Sequence, residues 1–184
     1  MAPASNLPSG ERASDFVMDW IARLSRESGK DEPPRAALDL ATGRGRHAWR
    51  LARAGFKTFA VDISFEMVRE VRAIASRDGV DIACWCADLN VHPLPESRFD
   101  LVVVTRYLDR ELFPAIRATV VPGGVVLYET FTAEQLALGW GPKSPAHLLH
   151  PGELRTRFEG FDELAYEEVS APEAVARIVA RRRS

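Results

Sequence analysis

Lysine is scarce in this chain. Of the 24 basic residues only Lys30, Lys57 and Lys143 are lysine; the rest are arginine. Alongside abundant alanine, this reads as coding bias rather than as a phosphate-binding surface. Net charge is also small, −2, so no global attraction draws the chain to nucleic acid or to an anionic membrane. No apolar run approaches the roughly 18 to 20 residues that span a bilayer. Met1–Glu11 lacks the basic segment and apolar core of a secretory leader, and the expected location is cytoplasmic. Cysteine is limited to Cys84 and Cys86. A C-x-C pair on a strand turns both thiols to one face, too close for an ordinary disulfide, so core packing is the expected role. No His/Cys grouping has metal-ligand spacing, and no metal is expected. No serine sits in a G-x-S-x-G elbow. Internal repeats and low-complexity stretches are absent.

What is present suits one domain over 1–184, because 184 residues with 46% apolar content can bury a core. Residues 1–13 are expected to be loose. Phe16, Val17, Trp20, Ile21 and Leu24 share one helical face, predicting an N-terminal helix within 14–29 capped by Ser14. Lys30–Pro34 is a linker. Over 36–180, strands are expected at Ala36–Ala41, Thr58–Val61, Val80–Ala87, Phe99–Thr105 and Val125–Phe131. Helices are expected from Arg46 to Ala54, after Ser64 with Met67, Val68, Val71 and Ile74 inward, over Leu112–Thr119, and from Pro151 to about Phe158. Weaker strands lie near Phe161–Glu168 and Val175–Ala180. Strands alternating with helices predict an α/β fold: a Rossmann-like doubly wound sheet, mostly parallel, with an antiparallel edge hairpin and helices on both faces. Arg181–Arg183 reads as a solvated basic stretch, and His47 and His92 as surface residues.

The chemistry concentrates at Asp39-Leu40-Ala41-Thr42-Gly43-Arg44-Gly45-Arg46. A strand stops at a loop with two glycines one residue apart, and a helix follows. Asp62 ends the second strand and Asp88 the third. A strand, a glycine turn, a helix and an acid-terminated strand form a nucleotide-cofactor site. A dinucleotide enzyme is one reading, since Gly43 to Ala48 loosely matches G-x-G-x-x-G/A and Asp62 lies about 20 residues on. Asp39 argues against it. A carboxylate inside the strand gives nothing to an anionic pyrophosphate, but it suits a cationic ammonium.

These residues, with Phe99-Asp100-Leu101-Val102 and Val121-Pro122-Gly123-Gly124, resemble the class I S-adenosylmethionine-dependent methyltransferases over about Ala36 to Phe131. More narrowly, Val103 to Leu108, Tyr128 to Phe131 and Leu148 to Leu154 are similar to the small bacterial methyltransferases related to tellurite-resistance proteins. Those would carry asparagine at Arg106, arginine at His150 and cysteine at Thr42. The resemblance implies S-adenosyl-L-methionine as cofactor. Asp39 would face its ammonium. Ala41, Gly43, Arg44 and Gly45 would form the turn against it, and Asp62 would accept the ribose hydroxyls. Ile63 would pack on the adenine, Asp88 and Leu89 would meet the adenine edge, and Thr105 would stand near the methyl group. Tyr107, Glu129 and His150 are the candidate catalytic residues around the acceptor, with Glu129 able to pair with an arginine. The expected activity is methyl transfer to a small-molecule acceptor, read as a soft (thiol or chalcogen) or anionic nucleophile. Nucleic acid and membrane are not expected partners, and the sequence leaves the oligomeric state open. A methyltransferase acting on nucleic acid or protein, a non-catalytic cofactor-binding protein and a dehydrogenase are the alternatives.

Overall fold

The computed structural model describes residues 13–27 and 33–184. The expected loose segment over 1–13 lies outside these residues except for Ala13, which is buried, and most of the expected linker lies outside them as well. Helix α1 (Asp15–Ser25) starts at Ser14, whose hydroxyl accepts from the Val17 amide, and it buries Val17, Ile21 and Leu24. There follow β1 (Ala36–Leu40), α2 (Arg46–Arg53), β2 (Lys57–Asp62), α3 (Phe65–Asp78), β3 (Ile82–Cys86) and β4 (Phe99–Thr105). Then come α4 (Phe113–Thr119), β5 (Val120–Phe131), α5 (Glu153–Arg157), β6 (Phe161–Val169) and β7 (Val175–Arg182). The described strands form one sheet in the order β3-β2-β1-β4-β5-β7-β6. The first five run parallel, and β7 lies antiparallel between β5 and β6. The α/β sheet with an antiparallel hairpin is therefore as the sequence predicts.

Strand alternation divides the core between the two faces. Leu38, Leu40, Val102, Val104, Val126 and Tyr128 pack with α4 and α5 residues such as Phe113, Ile116 and Leu154. Ala37, Leu101, Val103, Val125 and Leu127 pack with Val17, Ile21 and Leu24 of α1 and Leu51 of α2. Asp39, Thr105 and Glu129 fall in the second set of alternate positions, so their side chains turn toward α1 and α2. Helix α3 leans on β2 and β3 through Val71, Ala75 and Ile82.

Several expectations change. Met67 is only half-buried, and Ala75 takes the inward position. β5 begins at Val120, since Pro122-Gly123-Gly124 bends the strand without ending it; the pairing with β4 shifts between Phe99 and Leu101. The helix after Pro151 starts only at Glu153, from Gly152 in the left-handed region. Cys84 is half-buried and packs against the cluster of Val71, Ala75 and Ile82 as expected, whereas Cys86 is exposed and does not, because β3 is the edge strand and one of its flanks faces outward. Arg181 and Arg182 belong to β7, where they bond Glu27 and the carbonyls of Ala118 and Val120; Arg183 bonds Asp162. Among the described residues no helix is long and apolar enough to cross a membrane, and no cluster of His, Cys, Asp or Glu is placed to hold a metal.

Candidate active site

The turn after β1 is built around two acids. Asp39 is 1% exposed. Its Oδ2 accepts from the Thr42 hydroxyl at 2.6 Å and from the Ala48 amide at 2.9 Å. It thereby ties the strand to the turn and to the first turn of α2. Burial pushes its carboxyl up to about 7, against the opposing pull of those two hydrogen bonds. Asp62 is half-buried, with Oδ2 accepting from the Gly43 amide at 2.8 Å and Oδ1 from the Ser64 amide at 2.9 Å. A carboxylate has about four acceptor sites. Two backbone bonds leave it capacity for a vicinal diol.

The glycines differ in their reasons. Gly43 (φ +54°) has open space where a Cβ would project, so it leaves room for a ligand against the backbone. Gly45 (φ +76°) is pressed onto α3: a Cβ there would lie 2.8 Å from Val71 Cγ2. It starts α2 from the left-handed region and brings no side chain of its own to cap that end, where Asp39 takes the Ala48 amide instead. Ala41 is also left-handed, at φ +53°. Arg44 turns away from the turn toward Glu70 at 3.6 Å and is largely exposed.

Beside the turn lies a cavity of about 330 Å³ lined by Ala41, Asp62, Ile63, Asp88, Leu89, Arg106 and Tyr107, among others. Ile63 is 68% exposed although apolar, a disposition suited to covering a flat ring. Asp88 folds into its own turn, with Oδ1 accepting from the Asn90 amide at 3.0 Å.

The strand ends opposite carry a second group. Thr105 is buried, and its hydroxyl lies 3.1 Å from His47 Nδ1 and 3.5 Å from Arg46 Nη2. His47 is not a surface residue, contrary to the expectation. It is 1% exposed because it starts α2 against the end of β4, and its Nε2 has no hydrogen-bond partner. Burial, then the charges of Arg46, Arg106 and Arg50, push its pKa down to about 3, so it is neutral. The signal that could have found it is its place two residues after Gly45, where a helix start faces the sheet.

Glu129 is 3% exposed. Its Oε2 accepts from Arg177 Nε at 2.6 Å and from the Ser14 hydroxyl at 2.7 Å. Arg177 also reaches Glu167 at 2.9 Å, so the N-terminus of α1, β5, β7 and β6 meet at this carboxylate. Tyr107 lines the cavity, and burial, ahead of the charges of Asp109 and Asp88, pushes its phenol up to about 12. Tyr128 is core, with its hydroxyl donating to the Tyr107 carbonyl at 2.9 Å. His150 is exposed, and it lines a separate cleft with Arg110, Arg117 and Arg157 between α4 and α5. The expected grouping of Tyr107, Glu129 and His150 is thus replaced by three settings: cavity, ion pair and outer cleft.

Comparison with known proteins fits this geometry. Residues 37–124 match the family model described as a methyltransferase domain. Solved structures share the fold. TehB from Haemophilus influenzae is 18% identical, with a TM-score of 0.70 over 90% of this chain and 62% of that one. An S-adenosylmethionine-dependent methyltransferase from Mesorhizobium loti is 20% identical, with 0.66 over 90% and 100%. Another from Clostridium acetobutylicum is 15% identical, with 0.70 over 91% of each. This chain thus spans less than two thirds of the TehB chain. No match was found among curated protein sequences. Fold and site define the class: a Rossmann-like α/β sheet with a glycine turn between its first strand and the helix that follows. The residues matched by that family model, just under half of the chain, are similar to a methyltransferase domain.

Proposed function

We propose that the cavity beside Asp62 seats the adenosine of S-adenosylmethionine and that the methyl acceptor is a small, soft or anionic nucleophile. When bound, the cofactor supplies an electrophilic methyl group on a sulfonium. The chain's task is to bind, align and exclude water. Asp62 would take the ribose diol and Ile63 the adenine face. Asp88 and Leu89 would take the adenine edge. Gly43 would let the turn close on the ligand, and Asp39 would meet the ammonium directly or through water.

The observation that carries the acceptor reading is the Glu129 carboxylate, held by Arg177 and Ser14. That oxygen is already committed to two partners within the fold. The Tyr107 phenol, pushed up to about 12, holds its proton at neutral pH. An acceptor that arrives with an available lone pair, such as a thiolate or a chalcogen anion, needs neither group. Methyl release should therefore be highest with thiols, selenite or tellurite in a panel that includes small amines, small carboxylates and bulk tRNA. Tyr107→Phe is expected to keep most of the rate. Glu129→Gln should cost stability more than turnover, because it leaves Arg177 without its buried partner. A loss of roughly two to four decades in either variant would identify a general base, and turnover confined to tRNA would replace the small-molecule reading.

Cofactor affinity should also depend on pH. An ammonium beside Asp39 favours the ionised carboxyl, which in the free protein forms only above about 7. Below that pH a proton must leave on binding, so affinity should rise with pH by up to about tenfold per unit and level off above it. Asp39→Asn should flatten the profile. Calorimetry with S-adenosylhomocysteine from pH 5.5 to 8.5 measures it, and a wild-type profile as flat as the variant's would remove Asp39 from the ammonium site.

A further inference from the structure

Arg106 stands where β4 runs out, between the buried Thr105 and the cavity-lining Tyr107. Its backbone is left-handed, at φ +54°. An arginine gains nothing intrinsic from that conformation, which costs on the order of 1 kcal/mol and persists only where the surroundings impose it. Here its amide is held by the Glu129 carbonyl at 2.8 Å. Ala41, another of the few non-glycine residues in this region of backbone space, lines the same cavity. Two of the three such residues described, Ala41 and Arg106 but not Ser97, thus line one cavity.

The Arg106 side chain is equally placed. It lines the cavity, and its guanidinium lies 5.7 Å from the centre of the Phe131 ring. The Trp140 ring meets the other ring edge-on, with centroids 6.1 Å apart. Nη2 donates to Glu173 at 2.6 Å, and both side chains are about a quarter exposed. A carboxylate therefore already sits on this guanidinium, supplied by the connection between β6 and β7 rather than by the sheet. Water reaches the pair, so it is a contact that can be exchanged. The guanidinium fork fits a carboxylate geometrically and stays charged at every working pH.

We propose that Arg106 is the residue that recognises the acceptor: it binds a carboxylate carried by a small thiol, in exchange for Glu173, with Phe131 and Trp140 forming the apolar wall beside it. This rests on the reading that the cavity beside Asp62 seats the cofactor and that the acceptor is soft. Arg106 is a specificity residue here, and no proton passes through it.

The test is calorimetry on protein first saturated with S-adenosylhomocysteine, so that nothing turns over. The probes are three thiols of similar size: 3-mercaptopropionate, 2-mercaptoethanol and cysteamine. Wild-type protein should bind the anionic thiol about tenfold or more tighter than the neutral one, the range of one charge-assisted contact. Arg106→Gln should erase that preference, with the three thiols compared on variant protein held at saturating S-adenosylhomocysteine because Arg106 also lines the cofactor cavity. Glu173→Gln removes the competing carboxylate and should tighten 3-mercaptopropionate binding. The exchange variant Arg106→Glu with Glu173→Arg restores an ion pair in reverse. It should now prefer cysteamine, which a purely structural pair would not do, and it keeps the test decisive if Arg106→Gln unfolds. Equal binding of the three thiols by wild type, or a preference for 3-mercaptopropionate surviving in Arg106→Gln or the exchange variant, overturns the proposal. Failure of wild-type protein to bind S-adenosylhomocysteine in the first titration would instead overturn the cofactor reading beneath it.

Discussion

Asp62→Ala is expected to weaken S-adenosylhomocysteine binding by about one to two decades, the equivalent of roughly 1.5 to 3 kcal/mol for hydrogen bonds to a charged group. The same carboxylate receives the amides of Gly43 and Ser64. The variant therefore also loses the brace between the glycine turn and the start of α3, and its unfolding midpoint should fall. Asp62→Asn separates the two effects. Its side chain keeps one acceptor oxygen and loses the charge, so it should retain more stability than affinity. Calorimetry and urea unfolding on wild type and both variants provide the comparison. An unchanged dissociation constant in Asp62→Ala would reduce Asp62 to a loop brace.

The second large effect is expected at Gly45. Alanine there must hold φ near +76° and place its Cβ 2.8 Å from Val71 Cγ2. The backbone term is about 1 to 2 kcal/mol, and overpacking a closed contact adds about 1 to 3. Gly45→Ala should thus lose roughly 2 to 5 kcal/mol in denaturant unfolding, a large fraction of a typical domain's stability. Adding Val71→Ala removes the methyl groups in the way, so the double variant should lose less than the sum of the two single changes. Strict additivity would show that the backbone conformation alone makes Gly45 necessary. Gly43→Ala is the control, since its Cβ would enter open space; it should cost only the backbone term while still reducing cofactor affinity.

The parts of the fold that were legible in the sequence are those encoded locally. Phe99–Thr105 is an unbroken apolar strand once the acid at Asp100 is set aside, and the structure has the same bounds. α3 starts after Ser64 as expected, with that residue capping it, and Gly79 stops it in the left-handed region. Asp39, Asp62 and the Gly43/Gly45 turn were readable because their spacing reflects one strand–turn–helix unit. The remainder depends on partners far along the chain. His47 sits among arginines and looks solvated until β4 brings Thr105 against it. Glu129 could be suspected of pairing with an arginine, but that the arginine is Arg177, and that Ser14 joins it, follows only from the strand order. Local pattern could pair Phe161–Glu168 with Val175–Ala180. It held nothing to say that the second of these would enter between the first and β5.

That insertion governs the order in which the molecule can be completed. β5 carries Glu129 and is bonded to β4 on one side and to β7 on the other. Until residues 175–182 have been synthesised, one edge of β5 presents unpaired amides and carbonyls from Val125 to Phe131, and the Glu129 carboxylate lacks its cation. A nascent chain can therefore assemble the glycine turn, with its contacts among β1, α2 and β2, well before the surroundings of Glu129 are complete. During that interval the open edge is the surface most exposed to pairing with a foreign strand, and β7 closes it while delivering Arg177 to Glu129 in the same event.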